Sequence, residues 1–177
     1  MGSTPAETPT RLIVVGNDEQ GRSTVVRDAP VTARVDRPKG SFAEELWRQD
    51  SLPARSTDDG TQIESVSKYP PEGGLSVRRL SLPPTGEGPN TLDMDALVAE
   101  FGAENLTDPA DGPVLHRHAK AMQVIHVLSG SCYFLLGTGE VLLEPGTCIV
   151  LRGSMHDWRN PFDEPCIILA TIMSMEL

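Results

Sequence analysis

Long apolar runs are missing from this sequence. The longest are short, such as CIILA at 166–170, so no segment of the 177 residues is long enough for a membrane-spanning helix of about 20 residues. Positive charge is also scarce. Fifteen Lys and Arg face 25 Asp and Glu, and the net charge of −10 repels phosphate backbones. Arg78-Arg79 is a pair rather than a basic stripe, and no helix-turn-helix pattern is present, which argues against a nucleic-acid partner. Cysteine is limited to Cys132, Cys148 and Cys166. An odd number without close pairing excludes a disulfide framework and points to a reducing compartment, the cytoplasm. Each cysteine lies in an apolar run and is expected to be a small buried hydrophobe. The opening MGSTPAETPT has neither a basic nor an apolar region, so residues 1–10 read as a disordered tail and not as a secretory signal. There is no G-x-S-x-G and no C-x-x-C. GTGEV lacks the lysine and helix of a phosphate loop and reads as a hairpin turn.

Turn-forming residues are plentiful. Sixteen glycines and 15 prolines, with 38% hydrophobic residues, suit one domain of many short elements. Residues 11–28 read as a hairpin, with β-branched runs on either side of Gly16-Asn17-Asp18 and Gly21. VTARVD at 31–36 suggests a third strand, while SFAEELWRQD at 41–50 is ambiguous between strand and helix. GGLSVRRLSLPP, from Gly73, alternates as a strand and stops at Pro83-Pro84. The stretch 51–72 between them is polar and reads as loop. From Thr91, the residues Met94, Leu97, Val98 and Phe101 mark one face of a short helix. Thr91 suits the N-cap, Asp93 and Asp95 the first turn, and Gly102 the stop. From about residue 116 the pattern is strictly β: QVIHVLSG, CYFLLGTGEVLLEPG, TCIVLRG and CIILATIM are short apolar runs divided by glycine and proline turns. Such spacing predicts an antiparallel sandwich or small barrel.

Three of the four histidines stand in GPVLHRHAKAMQVIHVLSG at 112–130, and the fourth, His156, stands in LRGSMHDWRN. On an extended chain His116 and His118 share a face. Gln123 breaks that parity, so a bend within AKAM is needed to aim it at the same point. His126, three residues past Gln123, points to the opposite face, where packing or an interface suits it better than a site. His156 can join the pair only if the chain closes into a barrel. Trp158 either lines the same region or packs outside. Tyr133 either offers a phenol to a substrate or is an ordinary strand tyrosine. Arg152 either binds an acidic substrate or pairs at the surface.

At these residues the sequence resembles the cupin superfamily. The first cupin motif, G-x5-H-x-H-x(3,4)-E-x6-G, is matched by His116, His118 and Gly130. Gln123 stands in place of the glutamate, and the leading glycine falls slightly close, at Gly112. The second motif, P-x-G-x2-H-x3-N, is matched by Gly153, His156 and Asn160, with Leu151 at the proline position. From Arg11 onward the chain is also similar to a subgroup of small single-domain cupins. These share an N-terminal hairpin, an ELW segment (here Glu45, Leu46, Trp47) and R-G-x-x-H-x-W-x-N (here Arg152, Gly153, His156, Trp158, Asn160). Many relatives of that kind read H-R-T-D-T where this chain reads HRHAK.

The resemblance implies an all-β, single-domain cupin. Its double-stranded β-helix or jelly-roll barrel, over 111–177, would carry extra N-terminal strands, a loop and one short helix from 11–110. It implies one divalent transition metal (iron, manganese, nickel, copper or zinc) on His116, His118 and His156, with Gln123 as a weaker fourth candidate because its amide oxygen is neutral. The helix before His116 would either cap the barrel or simply pack on it. A homodimer formed through the N-terminal strands is expected, with coverage of the sheet edge within one subunit as the alternative. Two functions follow. One is a metal-dependent enzyme acting on a small organic molecule, of oxygenase type or redox-neutral (decarboxylation, dehydration or isomerisation). The other is a non-catalytic barrel that binds a small molecule.

Overall fold

A computed structural model describes residues 8–37, 40–55, 58, 60, 63–67, 69–85, 94–111 and 113–176. The described chain is built from eleven strands and one helix. In order these are β1 (Arg11–Asn17), β2 (Ser23–Pro30), β3 (Arg34–Asp36), β4 (Phe42–Gln49), β5 (Leu75–Leu82), α1 (Met94–Phe101), β6 (Ala121–Ser129), β7 (Cys132–Leu136), β8 (Gly139–Leu143), β9 (Cys148–Arg152), β10 (Asp157–Arg159) and β11 (Cys166–Ser174). Two 3-10 turns, Ala103–Asn105 and Pro109–Asp111, follow the helix.

Every strand pairing is antiparallel. Six strands form one sheet in the order β3-β4-β5-β11-β6-β9, three form a second as β10-β7-β8, and β1-β2 stands as a separate ribbon. The two larger sheets face each other and make an all-β jelly-roll barrel. Strand alternation explains the interior. Along β6, Ala121, Gln123, Ile125 and Val127 are buried while their neighbours are not. They meet Ile168, Ala170 and Ile172 of β11 and, from the facing sheet, Cys132, Phe134 and Leu143. Burying a side chain such as Ile125 or Ile168 stabilises the fold by about 1.5–3 kcal/mol.

The ambiguous segment at 41–50 is a strand because it lies between β3 and β5 in the large sheet. There both of its faces are covered, and Phe42, Ala43, Glu44 and Glu45 are all buried. Covering both faces erases the alternation that would have identified a strand. The buried Glu44 carboxylate takes hydrogen bonds from the Thr10 hydroxyl (2.7 Å), Arg34 (2.9 Å) and Arg79 (3.2 Å). The chain is therefore tied down from Thr10 onward, within the stretch expected to be a tail; residues 1–7 lie outside the described residues.

The helix is where the apolar spacing places it, but Val98 on that face is 41% exposed. Thr91 and Asp93, its expected cap and first-turn acid, lie outside the described residues, as does Gly112. Gly102 ends the helix at φ +82°. Gly130, between β6 and β7, has φ +67°, and a Cβ there would lie 2.2 Å from the Pro165 carbonyl oxygen, so only glycine fits. The expectation that all three cysteines are buried holds for Cys132 and Cys166 but not for Cys148. Cys148 opens the edge strand β9 and pairs with the outward-facing His126, so its thiol faces out as well. Among the described residues no helix is long and apolar enough to cross a membrane.

Candidate functional site

The segment that carries the first two histidines is held extended from both sides. Thr107 N–H donates to Leu115 O (2.9 Å), and Arg117 N–H donates to Asn105 O (3.0 Å). On the other side His116 and His156 exchange both backbone hydrogen bonds at 2.8 Å. That isolated bridge brings together two histidines 40 positions apart and aims their side chains at the same face. Gly153, at φ +66°, lets the chain leaving β9 pass close to this segment. A Cβ there would be 3.1 Å from Ala119 O.

The three imidazoles converge. Ring centroids are 4.4 Å apart for His116 and His156, 5.6 Å for His116 and His118, and 6.2 Å for His118 and His156. His156 is buried, and its Nδ1 lies 2.9 Å from Ser154 O. A carbonyl only accepts, so Nδ1 carries the hydrogen and Nε2 keeps the lone pair. Burial holds the His156 imidazolium below the usual histidine range, against the opposing effect of the Ser154 hydrogen bond, so the ring is neutral at physiological pH. Asp157 Oδ1 stands 3.8 Å from His116 Nδ1. Burial pushes the Asp157 carboxyl up to about 6, against the Trp158 backbone N–H.

Aromatic rings surround the cluster. Phe101, from the end of α1, lies over His116 at 4.3 Å and meets His118 at 5.6 Å. Tyr69 meets His118 edge-on at 5.6 Å. Phe134 and Trp158 stand 5.3 and 6.3 Å from His156. The end of the helix thus reaches the histidines through one side chain, Phe101.

The other sequence candidates are sorted by strand parity. A turn at Ala119-Lys120, closed by Ala121 N–H on His118 O (3.0 Å), supplies the bend that Gln123 needs, and Gln123 is buried on the inward face of β6. Trp158 packs inward, against the core and Phe134. Tyr133 does not join the site. It pairs with Arg159 on the outer face of β7, stacks on Phe162 at 5.9 Å and lies under the Arg159 guanidinium. His126 is exposed, with Cys148 Sγ 3.7 Å from its Nε2, and Arg152 is exposed too. Asn160 holds structure together. Its Nδ2 donates to Leu82 O and Glu164 O, and its Oδ1 accepts from Phe162 N–H. Sequence reasoning missed Phe101, Tyr69, Phe134 and Asp157 as neighbours of the histidines. Asp157 carries a signal, being adjacent to His156. Tyr69 carries none.

Three imidazoles sharing one metal at about 2 Å place their centroids roughly 4.5–5 Å apart. The His116–His156 pair meets that spacing, and His118 stands wider from both. As the side chains stand, no group of three or more His, Cys, Asp or Glu among the described residues is drawn onto one point. The donor chemistry nevertheless fits a transition metal: three imidazoles, with the ring hydrogen of His156 already committed to a carbonyl outside the cluster.

Residues 107–172 match the Cupin_2 family, described as the cupin domain. Over 64 residues the chain is 39% identical to a cupin-domain-containing oxidoreductase, srdB, of Neurospora crassa, covering 35% of this chain and 32% of that one. It therefore spans about a third of the length of this relative. Among solved structures it is similar to KdgF from Halomonas sp. (12% identity, 82% of this chain and 89% of that one, TM-score 0.45). It is also similar to a predicted oxalate decarboxylase from Thermotoga maritima (18% identity, 86% and 100%, TM-score 0.43). Both motif segments, which meet at the His116–His156 bridge, lie within the stretch that matches the cupin domain.

Proposed function

We propose that this protein is a metal-dependent cupin enzyme acting on a small organic molecule, with His116, His118 and His156 as the metal ligands and Gln123 as a weaker fourth. The observation that carries this reading is the meeting of three imidazoles, from segments 40 positions apart, under one aromatic cap. A divalent transition metal held there supplies Lewis acidity and open positions for the substrate. The chain's own part is to keep His156 neutral, through burial and the Ser154 carbonyl, and to limit water with Phe101, Phe134 and Trp158. The reaction is oxygenase-type or a redox-neutral decarboxylation, dehydration or isomerisation. The oxidoreductase named above favours the first. The wider placement of His118 favours a second reading, a barrel that binds a small molecule without a metal.

Elemental analysis of the purified protein beside a His116→Ala/His118→Ala double mutant tests the metal. About one metal per chain in the wild type, lost in the mutant, is the expected result. No uptake of iron, manganese, nickel, copper or zinc by either protein would put the metal-free binding module in its place.

The proposal extends to a cytoplasmic homodimer. Its support is the β1-β2 ribbon, which exposes Ile13, Val15, Val25 and Val26 and leaves a cavity of about 440 Å³ against β4, lined by Leu12, Arg27, Val31, Leu46 and Ile63. A second copy of the chain would cover these residues.

A further inference from the structure

Three of the four histidines belong to the cluster described above. The fourth, His126, lies on the outer face of β6, and directly opposite it on β9 stands Cys148. Cys148 Sγ is 3.7 Å from His126 Nε2, and both residues are exposed. The other two cysteines, Cys132 and Cys166, are 0% exposed. The accessible thiol of this chain therefore faces the histidine that the cluster leaves out.

The backbone holds the pair together. Val127 donates its N–H to Thr147 O and accepts the N–H of Gly146, each at 3.0 Å. Val127 is thus a hydrogen-bonded position of the ladder. The adjacent pair, His126 and Cys148, is of the kind without exchanged backbone hydrogen bonds, in which opposite side chains stand closest. Among the described residues β9 is the edge of the six-stranded sheet, so one flank of Cys148 has no neighbouring strand. Neither β6 nor β9 contains an Asp or Glu, so no carboxylate of these strands opposes a thiolate there. A reachable sulfur with a base close to its proton is what thiol–disulfide exchange requires.

We propose that Cys148, with His126 as its proton acceptor, is a site of reversible modification by low-molecular-weight disulfides. The Cys148 thiol passes its proton to His126 Nε2, and the thiolate attacks one sulfur of the disulfide. A new S–S bond to Cys148 forms as the old one breaks. The other half leaves as a thiolate and takes the proton back from the imidazolium. Cys148 is oxidised to a mixed disulfide and the departing half is reduced to a thiol. His126 points away from the face that carries Gln123, so the proposal does not depend on how the histidine cluster is read.

The test is incubation of the folded full chain with bis(2-hydroxyethyl) disulfide, a small uncharged probe, followed by peptide mass spectrometry. About one adduct per chain is expected, on Cys148, and dithiothreitol should remove it. Cys148→Ser should take up none. His126→Gln keeps a polar side chain that cannot accept a proton. It should reach the same final uptake at a rate at least about threefold lower. Leu128→Gln alters the same exposed face two residues away and should leave the rate unchanged. An unmodified Cys148, modification of Cys132 or Cys166 at a comparable rate, or a rate untouched by His126→Gln would overturn the proposal. So would an equal slowing by Leu128→Gln, which would assign the effect to the surface rather than to the imidazole.

Discussion

The ribbon β1-β2 and the pair β6-β11 are both antiparallel and of similar length, yet they belong to different environments. Every residue of β2 is exposed, whereas β6 alternates and buries Ala121, Gln123, Ile125 and Val127 against a second layer. Strand pairing is equally complete in both. What differs is whether a second sheet lies across the strands to take their apolar side chains out of water, which is where the free energy is gained.

Substitutions can break this comparison. Ile125→Ala removes a side chain that is 1% exposed and leaves a cavity among Ile168, Ala170 and Phe134. The loss should be about 2–5 kcal/mol in urea unfolding. A loss comparable to that of a surface site would show that the barrel interior is not closed around this residue. Between the two regions lies Glu44, which fastens the start of the ribbon to the large sheet through Thr10, Arg34 and Arg79. Burial works against its charge, yet the hydrogen bonds of Thr10 and Arg34 and the charge of Arg79 hold its carboxyl below the usual glutamate range. A lowered folded-state pKa stabilises above the ordinary value of 4.5 and loses that contribution as pH falls below it. Glu44→Gln should therefore cost about 2 kcal/mol at pH 7, with the gap to wild type closing below pH 4.5. A gap independent of pH would mean that shape rather than charge holds the joint.

The smallest effect on folding belongs to the ribbon. Val15→Asp with Val25→Lys, an opposite-charge pair on directly paired positions, should change unfolding free energy by no more than about 0.5 kcal/mol per site, because both side chains already face water within one chain. The same double mutant should shift sedimentation from dimer to monomer. A wild type that sediments as a monomer would remove the covering role given to a second copy.

Much of the barrel was legible beforehand. The strands from β6 onward carry either clean alternation or short apolar runs between glycines, and each of those patterns has one inexpensive solution. The β10 strand escaped notice because three residues, Asp157–Arg159, are too few to show a period. The β4 strand was ambiguous because both of its faces are covered. The histidine pair on 116 and 118 was readable from spacing, as was the outward turn of His126. The surroundings of the pair were not. Tyr69 comes from a loop and Phe101 from a helix end, and a motif cannot register residues whose approach is set by packing across the fold.

The division between what the chain encodes locally and what folding adds follows distance along the sequence. Local chemistry alone determined the net charge of −10, the strand-and-turn rhythm of the C-terminal half, the helix ending at Gly102 and the shared face of His116 and His118. Only the closed barrel decided that His156 joins them, that Trp158 points inward while Tyr133 points outward, that Cys148 is exposed, and that four of the eight aromatic rings gather at one site. The physical reason is that period and propensity act over a few residues. Burial depends on which surface arrives from the far side of the molecule, and no short stretch of sequence contains that information.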